Sequence, residues 1–387
     1  MTLKYGSVSI GELLEEGVIY AIQDGNHGEK HPKTSDYVED GIPFIMANSL
    51  NLGFVDLGSA SKISEEQASS LRIGFATTGD VLLTHKGTIG NTAIVPQVDP
   101  YIMLTPQVTY YRLDQSKLSN AYLLYCFRDL TFQKTIKSLA QQSTRPYIGI
   151  TAQRNLKINF RDINEQIKIV DAIKPYDDLI ENNRRRIQLL EESARLLYQE
   201  WFVHLRFPGH EQVKITDGVP EGWEKKPLKQ IATLNYGKAL KAEVRVSGPF
   251  PVYGSSGEVG SHEKALVTGP GIVVGRKGNV GSVYWVNTDF YPIDTVYFIS
   301  AEESSLFLYH ALQNVQFINT DVAVPGLNRD MAYSREILVP DDKNFERFLS
   351  EVAPIQEQVN KLQDCNVKLA QARDLLLPKL MSGELTV

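Results

Sequence analysis

The sequence predicts an α+β protein built twice from one unit, a mostly β globular segment with packed helices followed by a long helix. Three observations carry that reading. Residues 164–204 hold a helical seam sustained for roughly five heptads. Residues 344–381 repeat that seam at a shift of about 179 positions. Two turn motifs recur in the globular segments, so the repeat is about 180 residues long, too long for a solenoid.

Residues 1–160 form the first globular segment. Short β-type runs at 42–46 (IPFIM), 80–85 (DVLLTH), 92–96 (TAIVP) and 108–113 (VTYYRL) alternate with turn signals. A helical run covers roughly Asn120–Leu139, and a polar stretch then leads into a last strand. Residues 161–205 are the first long helix. One row is Ile169, Tyr176, Asn183, Leu190 and Leu197; the other is Ile173, Ile180, Ile187, Ala194 and Trp201, with charges outside. At 1.5 Å per residue this helix would be about 60 Å long, too long for one ordinary core, so it needs a partner.

Residues 206–342 repeat the globular plan. The opening stretch, 206–223, is turn-rich and polar and reads as a linker. Then come VYG at 252–254, GIVVGRKGNVGSVYWV at 271–286, a helical stretch from Ser304 to Phe317, and a last strand ending near Pro340. This copy is shorter, and its opening third aligns poorly with the first. Residues 343–387 supply the partner helix. Phe348, Ile355, Leu362, Leu369 and Leu376 fall on the first row, and Val352, Val359, Asn366, Arg373 and Leu380 on the second. Pro354 falls on Pro175, each able to kink its helix near the start.

At 387 residues the chain exceeds one typical domain, and its composition is that of a globular protein. No run of eighteen apolar residues occurs, and the first residues lack a basic stretch followed by an apolar core. The expectation is a cytoplasmic chain, neither secreted nor membrane-spanning. Cys126 and Cys365 lie far apart without metal-ligand spacing, which fits a reducing compartment. A formal net charge of −6 argues mildly against nucleic-acid binding but does not exclude it, because binding depends on where basic groups cluster.

The recurring turns are Lys86-Gly87-Thr88-Ile89-Gly90 with Lys277-Gly278-Asn279-Val280-Gly281, and residues 142–147 (QSTRPY) with 321–326 (DVAVPG). The lysine-glycine turns are not phosphate-binding P-loops, since glycine follows Lys277 and β-type residues follow the turn. Two readings stay open. The turn is a hairpin tip whose lysine and backbone N–H groups touch DNA phosphate, or a tight turn in which glycine supplies positive φ. The loop from Gln23 to His31 has metal-friendly residue types, but its histidines sit four apart in a glycine-broken loop with no further ligands in sight. It reads as a polar loop against base edges or backbone, or as a plain surface loop. No methyltransferase tetrapeptide, dinucleotide-type glycine turn, nuclease acidic-x-Lys trio or nucleophile elbow is present, so a catalytic role is not expected.

The chain resembles the specificity subunit of type I restriction–modification enzymes over its full length. The resemblance rests on LLYQEWFVH at 196–204 with Arg206-Phe207-Pro208-Gly209, on LPKLMSGEL at 377–385, and on Pro325-Gly326-Leu327-Asn328. The first copy departs from it with Pro146-Tyr147-Ile148-Gly149. The resemblance implies two target-recognition domains, each reading one half of a split site in double-stranded DNA. It implies an antiparallel coiled coil of the two helices with a pseudo-twofold between the copies. It further implies two methyltransferase (modification) subunits that bring the S-adenosylmethionine, so that this chain needs no cofactor or metal, and a restriction subunit that can join them. Helices of about 60 Å would hold the domains one to two duplex turns apart. Two other classes stay open: a fused DNA-modifying enzyme, which alone would methylate or cut DNA, and a coiled-coil scaffold, which would show no sequence-dependent DNA binding.

DNA contacts are expected near His27, Lys30, Lys86, Thr88, Arg145 and Tyr147 in the first copy, and near Arg276, Lys277, Asn279, Asn328 and Arg329 in the second, where polar loops recur beside strands. Asn183 and Asn366, the polar interruptions of the seam, are expected to face each other and fix its register.

Overall fold

The computed structural model describes residues 5–28, 30–51, 53–141, 146–317 and 326–386. The chain folds as two compact units, Met1–Asn182 with Cys365–Val387, and Asn183–Asp364.

In the first unit, a four-stranded antiparallel sheet runs in the order Ile19–Asp24, Val108–Leu113, Val81–Thr84, Thr92–Ile94. Its two central strands, Val81–Thr84 and Val108–Leu113, are apolar or β-branched at nearly every position and almost wholly buried, whereas the edge strand Ile19–Asp24 is mostly half-buried. A second, five-stranded sheet pairs Ile42–Ile45 parallel with Ile102–Leu104. Gly6–Ser9 pairs antiparallel with Lys157–Phe160, just before the long helix. The expected helix over 120–139 is two helices, Asn120–Arg128 and Leu130–Gln141. Asp129 breaks it, because its carboxylate accepts from the N–H groups of Thr131 and Phe132 at 2.9 and 3.4 Å and so starts a new helix.

The second unit repeats the four-stranded sheet and has a three-stranded second sheet where the first unit has five strands. Its four-stranded sheet runs Asn235–Tyr236, Val296–Ile299, Gly271–Gly275, Val283–Val286. Phe250–Gly254 lies parallel to Tyr291–Pro292, and Glu224–Pro227 pairs with Glu336–Val339 just before the second long helix. The stretch 206–223 is no loose linker. Phe207 and Trp223 are buried with ring centroids 4.5 Å apart, and the Trp223 indole donates to Asp341 at 3.0 Å.

The long helices are Ile163–Tyr198, continued by a π turn at Gln199–Val203, and Asp342–Ser382. Asp162 and Asp341 cap them in the same way, accepting from the backbone N–H of Asn164 at 2.9 Å and of Asn344 at 2.8 Å. In the first unit, Ile169, Val170 and Ile173 share one core with Leu377, Leu380 and Met381. The partners run antiparallel there, since Arg161 donates to the Met381 carbonyl at 2.9 Å while Asp177 meets Arg373 at 2.7 Å. In the second unit, Ala194, Tyr198, Trp201 and Phe202 share a core with Phe348 and Val352. Among the described residues no helix is long and apolar enough to cross a membrane.

Each unit fastens its globular part to the helices with different chemistry. In the first, Arg373 does not act as the apolar seam position its place in the repeat predicts. It is buried against Asp177, which lies beside the two predicted rows and also accepts from Arg128 at 2.7 Å and from the Tyr125 hydroxyl at 3.0 Å. In the second, Tyr198, Phe202, Phe307 and Phe348 pack edge-on and tilted, with centroids 5.0–6.3 Å apart. His310 lies among them, its pKa pulled down to about 4 by burial, so it is neutral near pH 7.

Replacing Asp177 by leucine leaves the buried Arg373 and the half-buried Arg128 without their shared carboxylate, Arg373 keeping only Asp374. The expected loss is about 3–5 kcal/mol of unfolding free energy, read from denaturant melts. A stability within about 0.5 kcal/mol of the parent would show that solvent reaches the pair.

Candidate nucleic-acid interface

In the first unit, Asp24, Thr84 and Val108 lie at one end of the four-stranded sheet, because Asp24 pairs with Thr109 and Thr84 with Val108. The loops beyond that end are tied by backbone bonds. Gly25 N–H donates to the Val108 carbonyl at 2.8 Å and His85 N–H to the Gln107 carbonyl at 2.9 Å. Ile148 N–H donates to the His85 carbonyl at 3.0 Å, beside an antiparallel bridge of Lys86 and Tyr147.

The second unit repeats this frame bond for bond. Gly237 donates to Val296 at 3.2 Å, Arg276 to Thr295 at 2.9 Å and Leu327 to Arg276 at 2.8 Å, beside a bridge of Lys277 and Gly326. A Cβ on Gly25 would sit 1.9 Å from the Thr105 carbonyl oxygen, and one on Gly237 2.0 Å from that of Ile293, so both places demand glycine. The lysine-glycine turns also match. Gly87 and Gly90 have φ of +75° and +98°, Gly278 and Gly281 of +78° and +81°. Each is closed by a bond from its last glycine, to the Thr84 carbonyl at 3.0 Å and to that of Gly275 at 2.9 Å.

Side chains lock the frame differently in the two units. In the first, Gln153 is fully buried; its amide donates to the Ile148 carbonyl at 2.9 Å and to Thr109 at 3.0 Å, and its oxygen accepts from the Tyr111 hydroxyl. In the second, the Tyr297 hydroxyl donates to the Leu327 carbonyl at 3.0 Å. Asp24 accepts from Thr109 at 2.6 Å and stands 3.5 Å from the Nε2 of buried His85. Burial lowers the pKa of His85, and the Tyr147 ring covers it at 5.4 Å. The equivalent places in the second unit hold Tyr236 and Arg276. The Arg276 guanidinium lies over the rings of Tyr236 and Tyr297 at 5.1 and 5.5 Å and donates to the Asp294 carbonyl at 2.9 Å.

Most of the expected contact residues reach the surface of these loops. His27, Lys30, Lys86, Thr88 and Tyr147 are exposed in the first unit, and Lys277, Asn279, Asn328 and Arg329 in the second, with Arg276 half-buried. Lys277 faces Asp294 at 3.8 Å, both half in solvent. Asn328 caps the helix Arg329–Tyr333 by accepting from Asp330 N–H at 2.8 Å. His27 and His31 hold their Nδ1 atoms 3.2 and 3.1 Å from the carbonyls of Gly25 and Asn26. Arg145 lies outside the described residues, as do positions 142–144 and 321–325 of the second motif pair. Sequence reasoning missed His85, Gln153, Tyr236 and Tyr297, and took Asp24 only as part of the polar loop from Gln23 to His31. The signal for two of them was a strand ending one residue before a glycine, Asp24-Gly25 and Tyr236-Gly237.

A loop frame repeated on two sheets, each joined to a long helix, defines a duplicated recognition protein. The chain belongs to the family of the type I restriction modification DNA specificity domain, which matches residues 14–192 and 220–344. It is 24% identical to the type I restriction enzyme MjaIX specificity subunit of Methanocaldococcus jannaschii, over 99% of this chain and 97% of that one. It is 23% identical to the HindI specificity subunit of Haemophilus influenzae, over 68% of this chain and 76% of that one. The crystal structure of the type I restriction–modification S subunit from M. genitalium has the same fold, with a TM-score of 0.52 at 18% identity over 98% of this chain and 96% of that one. The chain is a specificity subunit, and catalysis lies with partner subunits.

Gln153→Leu should leave the Ile148 carbonyl and the Tyr111 hydroxyl without their shared partner. We expect a loss of about 1–3 kcal/mol in denaturant melts, together with weaker DNA binding as the Tyr147 loop loosens. Unchanged stability and binding would mean that water replaces the amide.

Proposed function

We propose that each unit reads one half of a bipartite target in double-stranded DNA, and that the long helices dock two modification subunits. The observation that carries this reading is the loop frame, which is the same in both units down to its backbone bonds while the side chains on it differ. Loops on a rigid scaffold can change what they read without changing how they are held. Lys86 and Lys277 recur at one place on the frame and suit phosphate, which is the same in every sequence. Residues 1–160 and 206–342 are the recognition domains in this reading, and 161–205 and 343–387 the helical parts.

Two identical partners would need equivalent patches on the two helices. Leu196 and Leu375, related by the 179-residue shift, are 47% and 70% exposed, and Leu189 (69%) and Val203 (51%) extend the first patch at heptad spacing. A restriction subunit would join through the modification subunits. A cytoplasmic location follows from this role, since the target is DNA.

The modular reading is tested by exchanging residues 1–155 for the corresponding segment of another specificity subunit. Methylation mapping should then show one changed half-site and one retained. A change in both halves would refute it.

Asn183 is buried and Asn366 half-buried, and we propose them as the register pair of the helices. Single changes to leucine and the double change should give a coupling of about 0.5 kcal/mol or more in a double-mutant cycle. Additive effects would remove the pairing.

A further inference from the structure

Resting on the two-half reading above, we propose that Arg329 is a specificity-determining residue that reads a guanine in the half-site of the second unit. The chemistry of the position is the first support. The Arg329 guanidinium lies over the rings of Tyr236 and Tyr333, 5.1 and 5.9 Å from their centroids, and Tyr236 also stacks under Arg276 at 5.1 Å. Tyr333 is itself held, its hydroxyl accepting from Leu234 N–H at 3.0 Å. Among the described residues Arg329 makes no hydrogen bond or ion pair, and it is exposed. The guanidinium thus rests over two aromatic rings, and among the described residues its N–H groups have no hydrogen-bond partner. A planar fork held that way matches the O6 and N7 acceptors that guanine presents in the major groove.

The repeat distinguishes a base from a phosphate. Both units meet the same sugar–phosphate backbone, so phosphate contacts should recur at equivalent places, as Lys86 and Lys277 do. Contacts that read sequence should differ. Ile148 and Leu327 make the same backbone bond, so Ile150 stands where Arg329 stands, each the first residue of a five-residue helix. Asp24 and His85 likewise stand where Tyr236 and Arg276 do. Among the described residues the first unit has no guanidinium at this place, where Ile150 stands, and the second unit places two, Arg276 and Arg329, over Tyr236.

The test is selection of bound duplexes from a randomised pool by the full chain assembled with its modification subunits, repeated at several salt concentrations. The parent should require a G·C pair at one position in one half-site. R329A should lower preference at that pair by about 10-fold or more and leave the other half-site alone. R329K should not restore it, because lysine keeps the charge and loses the fork. Tyr236→Leu, which keeps Arg329 but removes its platform, should weaken preference at the same pair, whereas Lys277→Ala should weaken binding to all sequences alike and flatten the salt dependence. Equal loss across all sequences for R329A with rescue by R329K would make Arg329 a phosphate contact and overturn the proposal. So would an R329A variant with the parent's selectivity. Absence of any sequence preference in the parent would instead overturn the two-half reading itself.

Discussion

The recognition loops depend on one small set of backbone bonds. In each unit the carbonyl of the residue before the lysine turn, His85 or Arg276, accepts from the chain that leads into the last strand, at 3.0 and 2.8 Å. That bond joins the tip of one hairpin to the segment entering a long helix, so loop, sheet and helix share one reference. Its donors and acceptors are main-chain groups, and the positions of the frame that sterics fix are glycines, Gly25 and Gly237 by close approach and those of the lysine turns by positive φ. Residue identity is therefore free to change on the surface without moving the surface. A protein that must read different sequences with one scaffold needs that separation of frame from side chain.

The attachment to the helices shows the same freedom in the interior. Asp177 gathers Arg128, Arg373 and Tyr125 in the first unit, whereas Phe348 gathers Tyr198, Phe202 and Phe307 in the second. A buried ion cluster adds little net stability over a packed apolar one, but it tolerates few wrong partners. An aromatic cluster is the more forgiving of the two, since its contacts are not directional to the same degree. The Gln153 amide and the Tyr297 hydroxyl are a third case, two side chains from different elements satisfying equivalent carbonyls.

The long helices were legible because a seam sustained over five heptads has little else it can be, and its recurrence at a shift of 179 fixes the duplication. The lysine-glycine turns were legible because glycines three apart between apolar runs announce positive φ, and all four have it. Asp177 was not, since a carboxylate next to an apolar row normally faces water and only the incoming Arg128 and Arg373 make its burial tolerable. Asp24 and Tyr236 were hidden because their equivalence lies in the bond made by the following glycine and not in residue type. The break at Asp129 shows a local cap overriding a continuous helical pattern.

The central claim is that one frame carries two different reading surfaces. Mapping the methylated bases in a host that carries the complete system tests it most directly. The account predicts a target of two unequal half-sites, because the frame is shared while Asp24, His85 and Ile150 in the first unit stand where Tyr236, Arg276 and Arg329 stand in the second. A palindromic pair of half-sites, or one continuous target, would contradict it.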